Sequence, residues 1–318
     1  MKSALITGGA GFIGSNIAQR LLELGVQIRV LDNLSTGRVE NLLDIVDDVD
    51  LINGDIRDPD TLDKAMIGMD VVLHQAAIPS VPRSVIDPMI SHDAGATGTL
   101  QVLLAARRAG VGRVVCASSS SVYGDTPELP KREDMIPNPL SPYAVSKLTG
   151  EYYCKVFTRL YGLETVSFRY FNVFGPRQDP TSEYAAVIPR FMQMMARGER
   201  PLIHGDGLQS RDFTYVANVV EGNVLAATKP GIGGEVFNLA CGERFTLLDL
   251  VNEINGILGT SIEPILGEPR PGDIKHSLAD ISRARSELGF DPVVRFTEGL
   301  RATAEWFLDA DSTEAAAQ

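Results

Sequence analysis

The chain has 318 residues, 44% of them hydrophobic, and its 29 basic and 41 acidic side chains give a formal net charge of −12. This length exceeds one typical core and predicts two packed units. The acidic balance argues against nucleic acid as a partner, because polyphosphate would be repelled.

Cysteine usage and hydropathy narrow the cellular setting. Cys116, Cys154 and Cys241 form an odd set without metal-ligand spacing, which predicts a reducing compartment and no metal site. No run approaches ~18 apolar residues, and the first residues lack the layout of a signal peptide. We therefore predict a cytoplasmic protein that has no membrane partner.

Short apolar runs alternate with longer amphipathic stretches up to about residue 172, which is typical of repeated βαβ units. The predicted strands are 3–7, 27–32, 50–54, 71–76, 113–118 and 165–171. The predicted helices are 13–24, 60–67, 95–109 and 143–161. Six strands joined by helical crossovers predict a parallel sheet with helices on both faces.

Beyond residue 172 proline and glycine become frequent, as in "FGPRQDP", "KPGIGG" and "EPRPGD". We predict a first domain of residues 1–172 and a smaller second domain of residues 173–318 with shorter, interrupted helices. Residues 213–241 again have the pattern of a helix and then a buried strand, so we expect this segment to return to the first domain.

The stretch "TGGAGFIGS" places Gly8, Gly11 and Gly14 between the first strand and the first helix. Glycines here allow a tight turn and let backbone N–H groups approach a pyrophosphate at a helix N-terminus, although glycines also simply end strands. Asp32 ends the second strand, where a carboxylate can accept both ribose hydroxyls and favours NAD over NADP; alternatively it is a turn residue. Asp55 in "GDIRD" either reaches the adenine edge or only caps a strand end.

"SPYAVSK" puts Tyr143 and Lys147 at positions i and i+4, on one face of a helix that begins near Tyr143. A phenol with a pKa of roughly 10 is a poor base at neutral pH. A nearby ammonium together with an oxidised nicotinamide can hold the phenol as a phenolate. The alternative is an exposed Tyr/Lys pair without chemical function.

The motifs "TGGAGFIG", Asp32, the serine run 118–121, YxxxK and "RYFNVFGPR" resemble those of the extended short-chain dehydrogenase/reductases. Within that family the chain is most similar to UDP-hexose 4-epimerases, including those that accept N-acetylated sugars. The resemblance implies an α/β fold: a Rossmann-type, doubly wound parallel sheet with a smaller C-terminal α/β substrate domain. It also implies NAD as cofactor, a UDP-sugar as substrate and a homodimer formed through the helices near 95–109 and 143–161.

The serine run "CASSSSVYGD" gains a meaning from this resemblance. The residue at the Ser119 position hydrogen-bonds the reacting sugar hydroxyl and relays its proton to the tyrosine, whereas Ser118 packs near the cofactor or caps the strand end. Dehydratases of the family carry an acid pair where Ser120 and Ser121 stand, and decarboxylases carry a glutamate at Ser121. Without an acid, the site is predicted to oxidise a sugar carbon, let the sugar rotate and reduce it again.

The resemblance also assigns the remaining contacts, with Tyr170 expected beside the nicotinamide. The implied catalytic residues are Ser119, Tyr143 and Lys147. The implied cofactor contacts are Gly8, Gly11, Phe12, Ile13, Gly14, Asp32, Asn33, Ser35, Thr36, Gly37, Asp55, Ile56, Ala76, Ala77, Tyr143, Lys147 and Tyr170. The implied substrate contacts are Ser80, Ser119, Ser120, Ser121, Tyr143, Asn172, Gln178, Ala186, Val187, Arg211, Arg270, Asp273 and Ser277.

Sugar choice depends on a few positions. Ser277 stands where glucose-restricted epimerases carry a bulky tyrosine, which predicts room for an acetamido group. Ser80, Gln178 and Ala186 fall where the N-acetyl pocket is lined. Two departures from the family are Pro79, where glycine is usual and which stiffens or narrows this wall, and Gly95, where an asparagine is usual. The loss of that asparagine is expected to weaken cofactor retention, unless water or Asp93 replaces it.

Two alternatives stay open. The chain is also compatible with a UDP-glucuronate 4-epimerase or decarboxylase, of which decarboxylation is disfavoured by the missing glutamate. A catalytically silent, NAD-sensing regulator on the same scaffold is the non-enzymatic alternative, although such proteins commonly lose the tyrosine or the lysine that this chain keeps.

Overall fold

The computed structural model describes residues 1–180, 186–269 and 275–316, with side chains up to residue 308. In chain order the strands are β1 Ser3–Thr7, β2 Gln27–Asp32, β3 Val49–Asn53, β4 Val71–His74, β5 Arg113–Ser119, β6 Glu164–Tyr170, β7 Val173–Phe174, β8 Leu202–His204, β9 Ser210–Arg211, β10 Thr214–Tyr215, β11 Glu235–Leu239, β12 Phe245–Thr246 and β13 Ile265–Gly267. The α-helices are α1 Phe12–Glu23, α2 Pro59–Met66, α3 Val81–Ile86, α4 Pro88–His92, α5 Gly98–Ala109, α6 Pro142–Tyr161, α7 Val187–Ala196, α8 Val216–Thr228, α9 Leu247–Leu258 and α10 Phe296–Ala316. Two 3₁₀ segments, Val39–Asp48 and Ser120–Tyr123, and two π-helical turns, Asp93–Thr97 and Ala284–Leu288, complete the assignment.

Seven strands form one sheet in the order β11-β6-β5-β4-β1-β2-β3, and every neighbouring pair is parallel. Thr7 at the end of β1 lies opposite Leu31 of β2 on one side and His74 of β4 on the other. The chain reverses its direction of winding at this point, which is where doubly wound sheets bind ligands beyond the carboxyl ends of their strands. The predicted fold class, a Rossmann-type α/β sheet, is confirmed.

Apolar side chains cover both faces of the sheet. One buried cluster joins β1 and β2 to α1 and α8 through residues such as Ile17, Leu21 and Val219. A second cluster joins the opposite face to α2, α5 and α6, with Val102 and Phe157 among its members. Because both faces are buried, the strands are continuous apolar runs rather than alternating ones.

The segment 213–241 reaches the large sheet, since β11 pairs in parallel with β6 at its edge. A separate aromatic cluster forms in the C-terminal part of the chain around Phe174, Phe191, Phe213 and Phe296. The expectation of short helices there is wrong for α10, which has 21 residues. Its apolar residues follow a helical spacing, so packing of that face against this cluster sustains the long helix.

The helix predicted at 95–109 begins as an α-helix only at Gly98 and is preceded by the π-helical turn Asp93–Thr97. Gly95 in that turn lies against α6, since a Cβ there would be 2.5 Å from the Ser146 Oγ. The wider turn brings the backbone close to α6 at a position where a side chain would collide.

None of the helices in the described part of the chain combines the length and the apolarity needed to cross a bilayer.

Candidate active site

The glycine loop after β1 is packed so closely that larger residues do not fit. Gly8 has φ +69°, and a Cβ there would lie 2.6 Å from the backbone nitrogen of Ala76 at the end of β4. At Gly14 a Cβ would lie 2.2 Å from the carbonyl oxygen of Gly8. Gly11 is the N-cap of α1, and no side chain of the described residues caps this helix. The loop therefore offers backbone N–H groups at a helix N-terminus, which fits a pyrophosphate.

Asp32 ends β2 beside this loop. Its carboxylate accepts hydrogen bonds from the N–H of Ala10 at 3.0 Å and of Leu34 at 2.8 Å. Burial raises its pKa, which these two hydrogen bonds oppose. The loop 33–37 wraps the carboxylate, because a Cβ at Gly37 would lie 2.7 Å from Asp32 Oδ2. Three other predicted cofactor contacts in this loop are exposed: Asn33, Ser35 and Thr36.

Asp55 has close partners. The Asn33 Nδ2 donates to its Oδ2 at 2.9 Å, and the Arg57 guanidinium binds both of its oxygens. These contacts, led by the hydrogen bond from Arg57, hold the pKa of Asp55 well below its usual range. Asp55 thus braces the loop after β2, and a contact to adenine stays a prediction. Ile56 is buried in the core, and Ala76 and Ala77 are partly buried after β4.

Tyr143 and Lys147 lie on the first turns of α6. Ser141 caps this helix by accepting from the N–H of Ala144 at 3.2 Å, and Pro142 occupies the first turn, where its missing N–H costs nothing. Lys147 Nζ donates to the carbonyl oxygen of Ala117 on β5 at 2.8 Å. The same nitrogen lies 5.9 Å from the centre of the Tyr143 ring. The helix thus presents both side chains where β5 ends.

The ionisation of this pair is set by burial. Burial raises the pKa of Tyr143, and its contact with the Ser119 hydroxyl lowers it. Burial also lowers the pKa of Lys147 to about 8. Because a lysine with this pKa is still largely protonated at pH 7, Lys147 carries its charge close to the phenol at neutral pH.

Within the serine run, the structure corrects the capping role expected of Ser118. Ser118 Oγ donates to Glu151 Oε1 at 2.5 Å, so it binds α6 rather than capping the strand end. The cap is Ser119, whose Oγ accepts from the N–H of Ser121 at 3.2 Å and also contacts Tyr143. The buried Ser121 Oγ has no hydrogen-bond partner among the described residues, and Ser120 is partly buried. A polar ligand at the strand end would satisfy that hydroxyl.

The buried partner of Ser118 was missed from the sequence. Glu151 forms an ion pair with Arg169 of β6 at 2.8 Å, and both side chains are only 4% exposed. The spacing of four residues that links Tyr143 to Lys147 also links Lys147 to Glu151, which was a readable signal. The position of Arg169, on a different element, was not readable from any local pattern.

His74 lies between the sheet and α5. Its Nδ1 is 2.7 Å from Thr7 Oγ1, and its Nε2 is 3.0 Å from Thr99 Oγ1. The Thr99 hydroxyl donates to the Gly95 carbonyl at 2.6 Å, so it accepts from the histidine Nε2–H. Burial lowers the pKa of His74 to about 3 and keeps it neutral. A small cavity of about 10 Å³, room for about one water molecule, lies between this group and Lys147.

Tyr170, the last residue of β6, and Asn172, two residues later, lie at the same edge of the sheet. Asn172 has φ +33°, a strained value for a non-glycine residue and one that is frequent at functional sites. Its Nδ2 donates to the carbonyl oxygen of Asp212 at 3.2 Å. The hydroxyl of Tyr170 donates to Gln75 Oε1 at 3.1 Å and accepts from Asn223 at 2.8 Å. Its predicted place beside the nicotinamide is not tested by these contacts.

The remaining predicted substrate contacts lie on separate loops. Ser80 caps α3, and Ala186 is the N-cap of α7, which begins at Val187. Gln178 Nε2 donates to the Val173 carbonyl at 3.2 Å, whereas its buried Oε1 has no partner in the described part of the chain.

Arg211 and Ser277 are held by neighbouring backbone. The Arg211 guanidinium donates to the carbonyl oxygens of Ser210 and Lys275, and the Ser277 N–H donates to the Ser210 carbonyl. Arg270 and Asp273 lie outside the described residues.

The comparisons with known proteins agree with this geometry. Residues 4–240 match the NAD dependent epimerase/dehydratase family. The chain belongs to this family. NAD is therefore its cofactor, and the glycine cradle and Asp32 are the observations that fit it.

Individual relatives cover almost the whole chain. A UDP-glucose 4-epimerase of Mycolicibacterium smegmatis is 41% identical over 307 residues, covering 95% of this chain and 97% of that protein. The structure of a UDP-N-acetylglucosamine 4-epimerase from Methanobrevibacter ruminantium, in complex with UDP-N-acetylmuramic acid, has a TM-score of 0.93 at 41% identity and covers 97% and 99% of the two chains. A UDP-glucuronic acid 4-epimerase from Bacillus cereus, in complex with UDP-glucuronic acid and NAD, has a TM-score of 0.89 at 34% identity, with the same coverage. The chain is thus an enzyme of the epimerase type.

Proposed function

We propose that the protein is an NAD-dependent UDP-hexose 4-epimerase that interconverts UDP-glucose with UDP-galactose and UDP-GlcNAc with UDP-GalNAc. The observation that carries this proposal is the group Ser119, Tyr143 and Lys147 at the end of β5, followed by serines rather than acids. The family membership and the three relatives support the class of reaction.

Tyr143 is the proposed base for the 4-hydroxyl of the sugar. A unit charge about 6 Å away stabilises an anion by about 3 kcal/mol at an effective dielectric constant of ~20. This is about two pKa units, too little to make a buried phenol basic at neutral pH. The positive charge of oxidised nicotinamide is the second contribution that the mechanism needs. Ser119, in contact with Tyr143, is placed to pass the proton from the sugar hydroxyl.

When bound, NAD would supply the hydride acceptor and donor that oxidation and reduction at C4 need. The chain itself has three tasks: to take the hydroxyl proton on Tyr143, to hold the UDP part firmly and to leave the sugar room to turn. Asn172, Arg211, Arg270 and Asp273 are proposed to hold the nucleotide. Because these contacts are made to the nucleotide and not to the sugar, their binding energy retains the keto sugar while it rotates.

The lack of a carboxylate beside Ser119 favours epimerisation over elimination. Positions 120 and 121 carry hydroxyls. Glu151, the acid behind Ser118, is neutralised by Arg169. A hydroxyl cannot take the part of a carboxylic acid in the loss of water, because its proton is far less acidic.

Acceptance of N-acetylated sugars is supported by the side chains at the positions where the resemblance places the N-acetyl pocket. Ser277 has a small side chain at the position where the resemblance places a bulky residue in glucose-restricted enzymes. The partnerless acceptor at Gln178 Oε1 suits the N–H of an acetamido group. Ser80 and Ala186 add little bulk, whereas Pro79 stiffens the loop that carries Ser80.

UDP-glucuronate is the second candidate substrate for the same chemistry. The buried Ser121 hydroxyl without a partner offers a donor to a carboxylate. The resemblance to the glucuronic acid epimerase is consistent with this reading.

The test is an NMR assay of the purified protein with UDP-Glc, UDP-Gal, UDP-GlcNAc and UDP-GlcA supplied separately. We expect 4-epimers from the first three and no net consumption of NAD. Brisk conversion of UDP-Glc without any turnover of UDP-GlcNAc would overturn the proposed breadth. Conversion of UDP-GlcA alone would replace the proposal by the second candidate, and a 4,6-elimination product would refute epimerisation.

We further propose a division of labour and a homodimer. Residues 1–172 with 213–241 bind NAD, and residues 173–318 contribute the sugar nucleotide site. On α6 an exposed apolar stripe of Val145, Tyr152, Val156 and Leu160, at 49%, 57%, 43% and 66% exposure, has the spacing of a helix-packing face. Light scattering should give twice the mass of the chain, and a Val156→Glu/Leu160→Glu variant should give the monomer mass.

A further inference from the structure

Residues 176–179, which follow the strained Asn172 turn, lie across the first helix of the cofactor-binding region; we call them the strap. Asn16 Nδ2 donates to the carbonyl oxygen of Pro176 at 3.2 Å. The Arg177 Nη1 donates to the Ser15 carbonyl at 3.1 Å, and its Nη2 donates to Gln19 Oε1 at 2.6 Å. These acceptors and donors lie on α1, directly after the glycine loop.

The Arg177 side chain is built for this contact. It is only 10% exposed, and its backbone has φ +69°. A non-glycine residue keeps such a φ only where contacts with its surroundings offset the strain. The hydrogen bonds from its guanidinium to α1, together with its ion pair to Asp44 at 3.4 Å, are the contacts that do so.

The other end of the strap reaches the loop that follows Asp32. Asp179 Oδ2 accepts from Arg38 Nη2 at 2.6 Å. Arg38 follows Gly37, which packs on the Asp32 carboxylate, and the Arg38 N–H donates to the Ala10 carbonyl at 2.9 Å. Four consecutive residues thus join α1, which follows the glycine loop, to Arg38, which follows the loop that wraps Asp32.

Between these two anchors Gln178 uses its side chain differently. It bonds the backbone of Val173 and leaves its buried Oε1 without a partner among the described residues. The strap therefore has anchors toward the cofactor region at Arg177 and Asp179, with a proposed sugar contact between them.

We propose that the strap retains NAD: Arg177 and the pair Arg38–Asp179 are positioning residues that hold the cofactor cleft closed. An enzyme that must return the same hydride cannot release its cofactor after the first half of the reaction. The strap ties α1, which follows the glycine loop, to Arg38 after the ribose loop, and in this proposal NAD leaves only when these two parts separate. The proposal rests on NAD as cofactor and not on the identity of the sugar.

The experiment measures NAD release from the purified holoenzyme without any UDP-sugar. Freed NAD is captured by an excess of an alcohol dehydrogenase with ethanol, and the absorbance of NADH is followed. We expect Arg177→Met to release NAD about tenfold faster, since its hydrogen bonds are charged and largely buried. Asp179→Asn should release it about threefold faster, because its pair with Arg38 is partly exposed (32% and 52%).

The matched control is Asp63→Asn, which breaks an ion pair of the same 2.6 Å length between α2 and α5, away from the strap. Its release rate should equal that of the unaltered protein. The melting temperature of each variant is measured in parallel. If Arg177→Met does not fold, Gln19→Ala, which removes one acceptor of Arg177, takes its place with an expected rise of about threefold.

A charge swap separates the strap from a direct contact of Arg38 with the cofactor. Arg38→Glu alone should speed release, and Arg38→Glu with Asp179→Arg should bring it back toward the original rate. If NAD release stays fast in the swapped protein, the proposed role of the Arg38–Asp179 pair is overturned in favour of a direct contact between Arg38 and the cofactor. Rates in the Arg177 and Asp179 variants equal to the Asp63 control would overturn the whole proposal, without bearing on sugar turnover.

Discussion

Lys147 and Glu151 lie one turn apart on the same helix, yet the fold treats their charges in opposite ways. Glu151 is paired with Arg169 on β6 and receives a further hydrogen bond from Ser118. The Lys147 ammonium donates to the carbonyl oxygen of Ala117, and no carboxylate of the described residues forms an ion pair with it. Burial accordingly lowers the pKa of Lys147 to about 8.

The difference shows how one helix serves both stability and chemistry. A buried charge that has a partner of opposite sign keeps that partner, because breaking the pair leaves an uncompensated ion in a low dielectric. A buried cation without an anionic partner keeps its field available to a neighbouring group that becomes negative. In this helix the neighbour is Tyr143, one turn toward the N-terminus.

The largest expected effect is on kcat and concerns Tyr143, near the N-terminus of this helix. Tyr143→Phe should lower kcat by about 10³–10⁴-fold. This is the upper part of the range expected when a positioned general base is lost. Binding of NAD should be retained, because the phenyl ring still fills the same space. Single-turnover and steady-state assays with UDP-Glc measure this, with Tyr152→Phe on the exposed side of the same helix as the control. A variant that keeps a tenth of the activity would contradict the role of the phenol.

The next largest effect is on stability and concerns the Glu151–Arg169 ion pair of the same helix. Glu151→Gln leaves the Arg169 charge buried without its counter-ion and should lower the free energy of unfolding by about 3–5 kcal/mol. Lys147→Met removes a buried cation that has no acidic partner and should leave stability equal or higher, while activity falls sharply. Denaturant titration compares the two variants, and Glu151→Gln/Arg169→Met should recover part of the loss. Equal stability losses in Glu151→Gln and Lys147→Met would end the distinction between the two charges.

A smaller effect concerns the spacing that positions the two charges. Gly95→Ala puts a methyl group 2.5 Å from the Ser146 Oγ, on the turn of α6 between Tyr143 and Lys147. We expect a loss of about 1–3 kcal/mol in unfolding free energy from this overpacking. Gly95→Ala/Ser146→Gly should recover most of it. A harmless Gly95→Ala would show that α6 has freedom to shift at this point.

The smallest effect is on pH dependence. Lys147 has a folded pKa of about 8, so its ammonium is present below pH 8 and is lost as the pH rises through that value. We expect kcat/KM to fall about tenfold from its plateau at one pH unit above this value, as a single titration requires. Lys147→Arg should have a lower plateau but keep it to higher pH, because a guanidinium does not deprotonate in this range. An identical alkaline limb in the two proteins would assign the titration to another group.

Local patterns were enough to predict several structural features of the candidate site. The glycines of the first loop, Asp32 at a strand end and the Tyr143–Lys147 spacing are each encoded within a few residues. The long-range polar partners were not predictable in this way. Glu151 on a helix pairs with Arg169 on a strand. Asp55 accepts from Asn33, because the two strands that precede these residues end at one edge of the sheet.

The roles within the serine run show the same limit. Ser118 and Ser119 are neighbours on β5, so their side chains point to opposite faces of the strand. Sequence alone did not show that Ser118 would bond Glu151 on α6 instead of capping the strand end. The role expected for Ser119, at the sugar hydroxyl beside Tyr143, stays a prediction.

The sequence by itself determined the alternation of strands and helices, the glycine cradle and the helical spacing of a phenol and an amine, because each depends on backbone conformation over a few residues. Only the tertiary structure decided which charges are paired, which side chain of α6 each serine contacts and which segment crosses α1. These features depend on burial and on contacts between residues far apart in the chain. The free energy of burying a charged group or a hydroxyl depends on the partners that those contacts provide.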